Sequence, residues 1–176
     1  NISPQSFWQS HTNAPSLLSN LAIDLMKLTP GDIVCDLYGG VGLFTMPITK
    51  KIGNEGHVHL VEISNHSVRD AFKIFKDYNN VSIHRGSVDR KLPKINNIDI
   101  IVLDPPRSGA GKKVIGQIIS KKPRAVVYIS CDPASLARDA KFLYDSGYKL
   151  DKIKAVDLFP MTHHIECIVR FIPSTN

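Results

Sequence analysis

The sequence predicts a doubly wound α/β fold, a mostly parallel seven-stranded sheet with helices on both faces and an antiparallel hairpin at one edge. Three observations predict it. Short apolar runs alternate repeatedly with segments of helical period. A glycine cluster, Gly39-Gly40-Val41-Gly42, follows the first apolar run and opens a helical segment. The last two apolar runs follow one another with no helical segment between them, as an antiparallel strand pair would.

Each element has its own signals. Residues 1–13 are polar and hold Phe7-Trp8-Gln9-Ser10-His11 ahead of any periodic segment, a Phe-Trp pair suited to packing over a domain edge. Over 14–28 the spacing of Leu17, Leu18, Leu21, Ile23, Leu25 and Leu28 predicts an amphipathic helix, capped by Asn13 or Ser16 and stopped by Pro30-Gly31. It would cover the sheet next to the central strand. That strand spans 32–37, and the helix after the glycine cluster runs over 43–51. A strand at 57–62 is followed by a helix at 66–78, with Val68, Ala71, Phe72 and Phe75 on one face and Asn79-Asn80 as terminator. A strand at 81–84 leads into Gly86-Ser87-Val88-Asp89. The run at 98–104 is almost wholly apolar, as a central parallel strand buried on both faces must be. A helix at 112–120, a strand at 125–130 and a helix at 134–146 follow, the last broken by Gly147. Strands at 148–157 and 165–172 close the chain, joined by Leu158-Phe159-Pro160-Met161-Thr162-His163-His164.

At 176 residues this is expected to be a single domain with a core of its own. No stretch approaches the apolar length of a membrane span, and no secretory signal pattern opens the chain. Three widely spaced cysteines with no C-x-x-C pair argue against a disulfide framework and against structural zinc, and point to a reducing cytoplasm. The net charge of +6 favours an anionic partner, nucleic acid first, although the scattered lysines would also serve as solvated faces. Oligomeric state is open, with a monomer as the default.

Ligands of open α/β sheets bind outside the carboxyl ends of the strands, so the residues just past each strand matter most. Glycines there permit positive φ and close approach of a ligand, which suits an adenosine pocket, though a plain strand-to-helix turn would use the same residues. Glu62 closes the next strand, placed to grip ribose hydroxyls. The spacing is not the dinucleotide fingerprint G-x-G-x-x-G. In Asp104-Pro-Pro-Arg the two prolines stiffen the strand exit and aim a carboxylate at the rim. Cys131 stands just before a helix N-terminus, where the dipole is expected to lower its pKa and make a thiolate available as nucleophile. Cys35 and Cys167 lie within strands and are assigned to the core. His163, His164 and Glu166 lack a regular zinc spacing, so no metal is expected. Glu166, beginning an apolar strand beside histidines, is better placed as a general base, the alternative being a solvated charge.

Asp36-Leu-Tyr-Gly-Gly-Val-Gly resembles the first motif of S-adenosylmethionine-dependent methyltransferases. Taken in order with Phe7-x-Gln9, Glu62, Asp104-Pro-Pro-Arg-Ser-Gly, Ser130-Cys131-Asp-Pro and Asp157-x-Phe-Pro-x-Thr-x-His-x-Glu166, it makes the whole chain similar to the RNA uracil-5 methyltransferase family. Those bacterial enzymes make 5-methyluridine in transfer or ribosomal RNA. The resemblance implies a Rossmann-like class I methyltransferase fold and structured RNA, tRNA or rRNA, as partner. It further implies S-adenosyl-L-methionine held by Gln9, Tyr38, Gly40, Glu62 and Asp104, with Cys131 as nucleophile and Glu166 as base. The sequence departs from the family at His11, where Asn is common, and the family's N-terminal RNA-binding barrel and central domain do not precede Asn1, so an isolated catalytic domain is expected. Cytosine-5 methylation of RNA is the nearest rival, but Arg107 stands after Pro106 where such enzymes place a second cysteine. A non-catalytic RNA or adenosine binder of the same fold is the other alternative, and it would need neither Cys131 nor Glu166.

Overall fold

The computed structural model describes residues 14–156 and 165–174. Its elements run α1 (Ala14–Met26), β1 (Ile33–Leu37), α2 (Thr45–Ile52), β2 (His57–Glu62), α3 (Asn65–Ile74), β3 (Val81–Arg85), α4 (Val88–Lys91), β4 (Ile100–Leu103), α5 (Gly111–Ser120), β5 (Ala125–Ser130), α6 (Pro133–Asp145), β6 (Tyr148–Val156) and β7 (Glu166–Pro173). A 3-10 turn, Leu92–Lys94, extends α4. The strands form one sheet in the order β3-β2-β1-β4-β5-β7-β6, with β7 antiparallel to both neighbours and every other pairing parallel. The expected edge hairpin is present, with the last strand inserted between β5 and β6. Strand order reverses at β1 and β4, where such sheets open a crevice.

Alternation along the strands divides the core in two. Cys35, Leu37, Val61, Ile101, Leu103, Val126, Tyr128, Val169 and Phe171 face α4, α5 and α6 through Val88, Val114, Ile118, Leu136 and Leu143. Val34, Val58, Ile100, Val102, Val127 and Ile168 face α1 and α2 through Leu18, Met26, Phe44 and Ile48. β4 and β5 are buried along their whole length, which explains their unbroken apolar runs.

Several expectations change at element ends. α1 stops at Met26 because Lys27 turns to φ 52 ahead of Pro30-Gly31, and the helix lies over the middle of the sheet, on β4, β5 and β7, as expected. α3 ends at Ile74, four residues short of Tyr78, and Phe72 is 55% exposed, off the face that Val68, Ala71 and Phe75 bury. α4 was not legible in the sequence, since its single turn carries no period. Cys35 and Cys167 are both buried as expected, but Cys167 is the second residue of β7, at the strand's start. The three cysteines are free thiols, and no helix among the described residues is long and apolar enough to cross a membrane.

Candidate active site

β1 delivers its residues to the middle of the sheet's carboxyl edge. Asp36, 1% exposed, lies within the buried run: one carboxylate oxygen accepts from the Thr45 hydroxyl at 2.6 Å and the other has no partner. Burial pushes its carboxyl up to about 7, against the pull of the Thr45 hydrogen bonds. Tyr38 follows at φ 61, a backbone conformation that L residues seldom take. The loop then folds tightly. A Cβ on Gly39 would stand 2.9 Å from the Leu60 side chain, and one on Gly42 would run into the Phe75 ring. Only glycine lets the loop lie this low over β2 and α3.

Glu62, at the end of β2, ties that loop down: its carboxylate accepts from the Gly40 N–H at 3.0 Å and the Ser64 N–H at 2.6 Å. Each oxygen retains acceptor capacity for a ribose hydroxyl. Next to it Tyr38, Glu62, Ile63, Ser87, Val88, Asp89 and Val114 line a pocket. Its walls are largely apolar, with acceptors at one end, which suits a nucleoside. Asp89 receives a 2.8 Å bond from Lys113, and this with the Ser87 hydroxyl holds its carboxyl below the usual range. Burial pushes the Tyr38 phenol up to about 12, with Asp139 and Asp89 adding to it.

The second cluster forms where β4, β5 and β7 end. Asp104 leaves the sheet next to Leu103, which pairs with Leu37 on one side and Tyr128 on the other. Burial pushes its carboxyl up to about 7, and the negative charges of Glu166 and Asp36 push the same way. The antiparallel register of β5 and β7 reaches the pair Ser130 and Cys167. One step outward stand Cys131 and Glu166, brought side by side from positions 35 residues apart in sequence (166 minus 131). Glu166 is 7% exposed, and burial raises its pKa.

The expected low pKa of Cys131 is not what the structure gives. Burial and the Glu166 carboxylate push the thiol up, and only Arg107 and a backbone hydrogen bond pull it down. Burial is the largest cause, and the helix end does not offset it because of how it is capped. Asp132, not Cys131, caps α6, its carboxylate accepting from the Ser135 N–H at 2.7 Å, so the positive end of the helix meets that carboxylate first.

Tyr38 and Glu62 thus line the pocket, with Gly40 hydrogen-bonded to Glu62, while Asp104, Cys131 and Glu166 stand at the neighbouring strand ends. Gln9, His163 and His164 lie outside the described residues. No group able to hold a metal occurs among the described residues. Sequence reasoning passed over Asp36, Ile63, Val88 and Asp89. Their signal was position alone: Asp36 is the acid in an apolar strand, and Val88 and Asp89 stand past strand three as Glu62 ends strand two.

The model of the family described as tRNA (Uracil-5-)-methyltransferase matches residues 88–172. An uncharacterised RNA methyltransferase of Streptomyces avermitilis is 42% identical over 172 residues, 97% of this chain and 40% of the relative. A solved structure of the Pyrococcus abyssi tRNA (uracil-54, C5)-methyltransferase, in complex with S-adenosyl-L-homocysteine, superposes with a TM-score of 0.80 at 29% identity. That match covers 97% of this chain and 41% of the other. A S-adenosylmethionine-dependent methyltransferase from Aquifex aeolicus shares the fold, with a TM-score of 0.67 at 16% identity over 88% of this chain and 89% of that one. The chain therefore has the fold of these methyltransferases, and it spans about two fifths of the length of the RNA methyltransferases it matches.

Proposed function

With kinship to the RNA uracil-5 methyltransferase family as premise, we propose that the chain transfers a methyl group from S-adenosylmethionine to carbon 5 of a uridine in structured RNA, transfer or ribosomal. The observation that carries the reading is the junction of two sites along one sheet edge. A pocket with Glu62 and Tyr38 lies along the same sheet edge as a partly exposed thiol and a buried carboxylate, Cys131 and Glu166, which the β5–β7 register brings to neighbouring strand ends.

The residues present fit the cofactor. Glu62 would take the ribose hydroxyls, Tyr38 and Gly40 would floor the adenosine, and Ile63 and Val88 would flank the base, within reach of Asp89. Asp104 and Gln9 are assigned to the methionine end. When bound, the cofactor supplies an electrophilic methyl group.

The remaining chemistry falls to Cys131 and Glu166. Carbon 5 of uracil is a poor nucleophile, and addition of the Cys131 thiolate to carbon 6 converts the ring to an enolate whose carbon 5 can accept the methyl. Glu166 then takes the carbon 5 proton, and the ring's electrons expel Cys131 as carbon 6 is released. A carboxyl whose pKa burial has raised is a stronger base than a solvated one. Burial and the Glu166 carboxylate push the Cys131 thiol up, against the thiolate that addition to carbon 6 needs, and the Arg107 charge works the other way. The target base must leave its stack to reach the thiol, which favours a loop over a paired stem.

The test is a denaturing gel of enzyme incubated with RNA and S-adenosylmethionine. Cys131→Ala should form no RNA-linked band and transfer no methyl group. Glu166→Gln should accumulate a covalent protein–RNA species carrying the new methyl. Appreciable turnover by Cys131→Ala, or an adduct mapped to Cys35 or Cys167, overturns the assignment.

A further inference from the structure

Outside the site, the densest buried polar cluster among the described residues is centred on Asp139. This residue is fully buried on the inward face of α6, between Leu136 and Leu143. One of its oxygens accepts from the Ala110 N–H at 2.7 Å, the Gly111 N–H at 3.1 Å and the Tyr128 hydroxyl at 2.8 Å. The other accepts from the Arg138 guanidinium at 3.0 and 3.1 Å. Arg138 in turn donates to the Ser108 carbonyl at 2.7 Å. The turn Pro106–Gly109, closed by the Gly109 N–H on the Pro106 carbonyl at 2.8 Å, is thereby clipped to α6. Contact is so close that a Cβ on Gly109 would stand 2.5 Å from Arg138 Nη2 and 2.7 Å from Asp139 Oδ2.

Two parts of this cluster do different work. The bonds to Ala110 and Gly111 satisfy N–H groups at the start of α5, which has no side-chain cap of its own. That is a structural duty, and it belongs to Asp139. The bond from Arg138 to Ser108 caps nothing. It holds the apex of a turn whose first central residue is Arg107, and the Arg107 charge acts on both Cys131 and Asp132. α6 begins two residues after Cys131, so the helix that carries Arg138 also carries the thiol at its mouth.

We propose that Arg138, oriented by Asp139, is a positioning residue: it holds the turn Pro106–Gly109 on α6 so that Arg107, just past the end of β4, keeps its place beside the neighbouring end of β5 where Cys131 stands. The ion pair fits that task. Arg138 is half exposed while Asp139 is fully buried, and two donors on one carboxylate oxygen fix the guanidinium for its third bond, to Ser108. The inference rests on Cys131 being the reacting thiol of the proposed activity.

The experiment follows the alkylation of Cys131 by iodoacetamide across pH, read peptide by peptide by mass spectrometry in the full-length enzyme, with methyl transfer measured on the same samples. In Arg138→Gln the α5 cap is untouched and the fold should hold. The pH midpoint of Cys131 alkylation should rise by about half a unit or more, as expected when a neighbouring positive charge drifts away. kcat should fall on the order of tenfold, with KM for S-adenosylmethionine unchanged. Arg138→Lys should recover part of both, and Asp139→Asn, which also loses the α5 cap, should show a larger fall in melting temperature than Arg138→Gln. An unchanged midpoint and unchanged kcat in Arg138→Gln would overturn the proposal and leave the pair as a helix cap. If the midpoint shifts but the wild type methylates no uridine, the uracil reading fails and the positioning role stands.

Discussion

Asp36 shows how a single side chain can be stable and poised at once. It is buried with one oxygen unbonded, and its carboxyl titrates at about 7. The folded chain holds that proton more tightly than the unfolded one, so its contribution to stability is complete below the ordinary carboxylate value and is lost as pH rises through 7. Asp104, also pushed up to about 7, acts in the same window. The ligand-free protein should therefore lose melting temperature between about pH 4 and pH 8, and Asp36→Asn should melt several degrees higher than wild type at the upper end while matching it at the lower. Equal melting temperatures at both ends would mean that the carboxyl is already solvated or paired. None of this was legible in the sequence. Asp36 was visible as part of a motif, but its burial comes from Thr45 and the sheet above it.

At the scale of the element, the glycine loop divides into positions that need glycine for different reasons. Gly40, at φ 56, has open space where a Cβ would go, whereas Gly42, at φ 99, faces the Phe75 ring. Alanine at Gly40 should cost only the left-handed conformation, about 1 kcal/mol. Alanine at Gly42 adds a clash inside a packed contact, for about 2–4 kcal/mol in all. Urea titration of the two variants should separate them in that order, and equal losses would place the Phe75 ring elsewhere. Element identity was readable here because glycine and apolar period are local signals. The limits of α1 and α3 were misjudged because their ends depend on turns at Lys27 and Phe75, which carry no marker in the sequence.

At the scale of the whole molecule, a net charge of +6 and a site along the sheet's carboxyl edge call for an anionic partner. If the proposed activity holds, binding of structured RNA should weaken steeply with salt, by about tenfold or more between 50 and 200 mM, as lysines release counterions. Salt-insensitive binding would show that base contacts rather than phosphates dominate. The sequence by itself determined the alternation of strands and helices, the glycine loop, the acid ending β2 and the residues that end β4 and β5. These follow from periodicity and from residue types whose backbone limits are intrinsic. Tertiary structure alone decided that β7 enters between β5 and β6, which sets Glu166 against Cys131. It alone decided the ionisation of that thiol as well, because desolvation and a neighbouring carboxylate depend on what surrounds a group in space, and no local pattern encodes them.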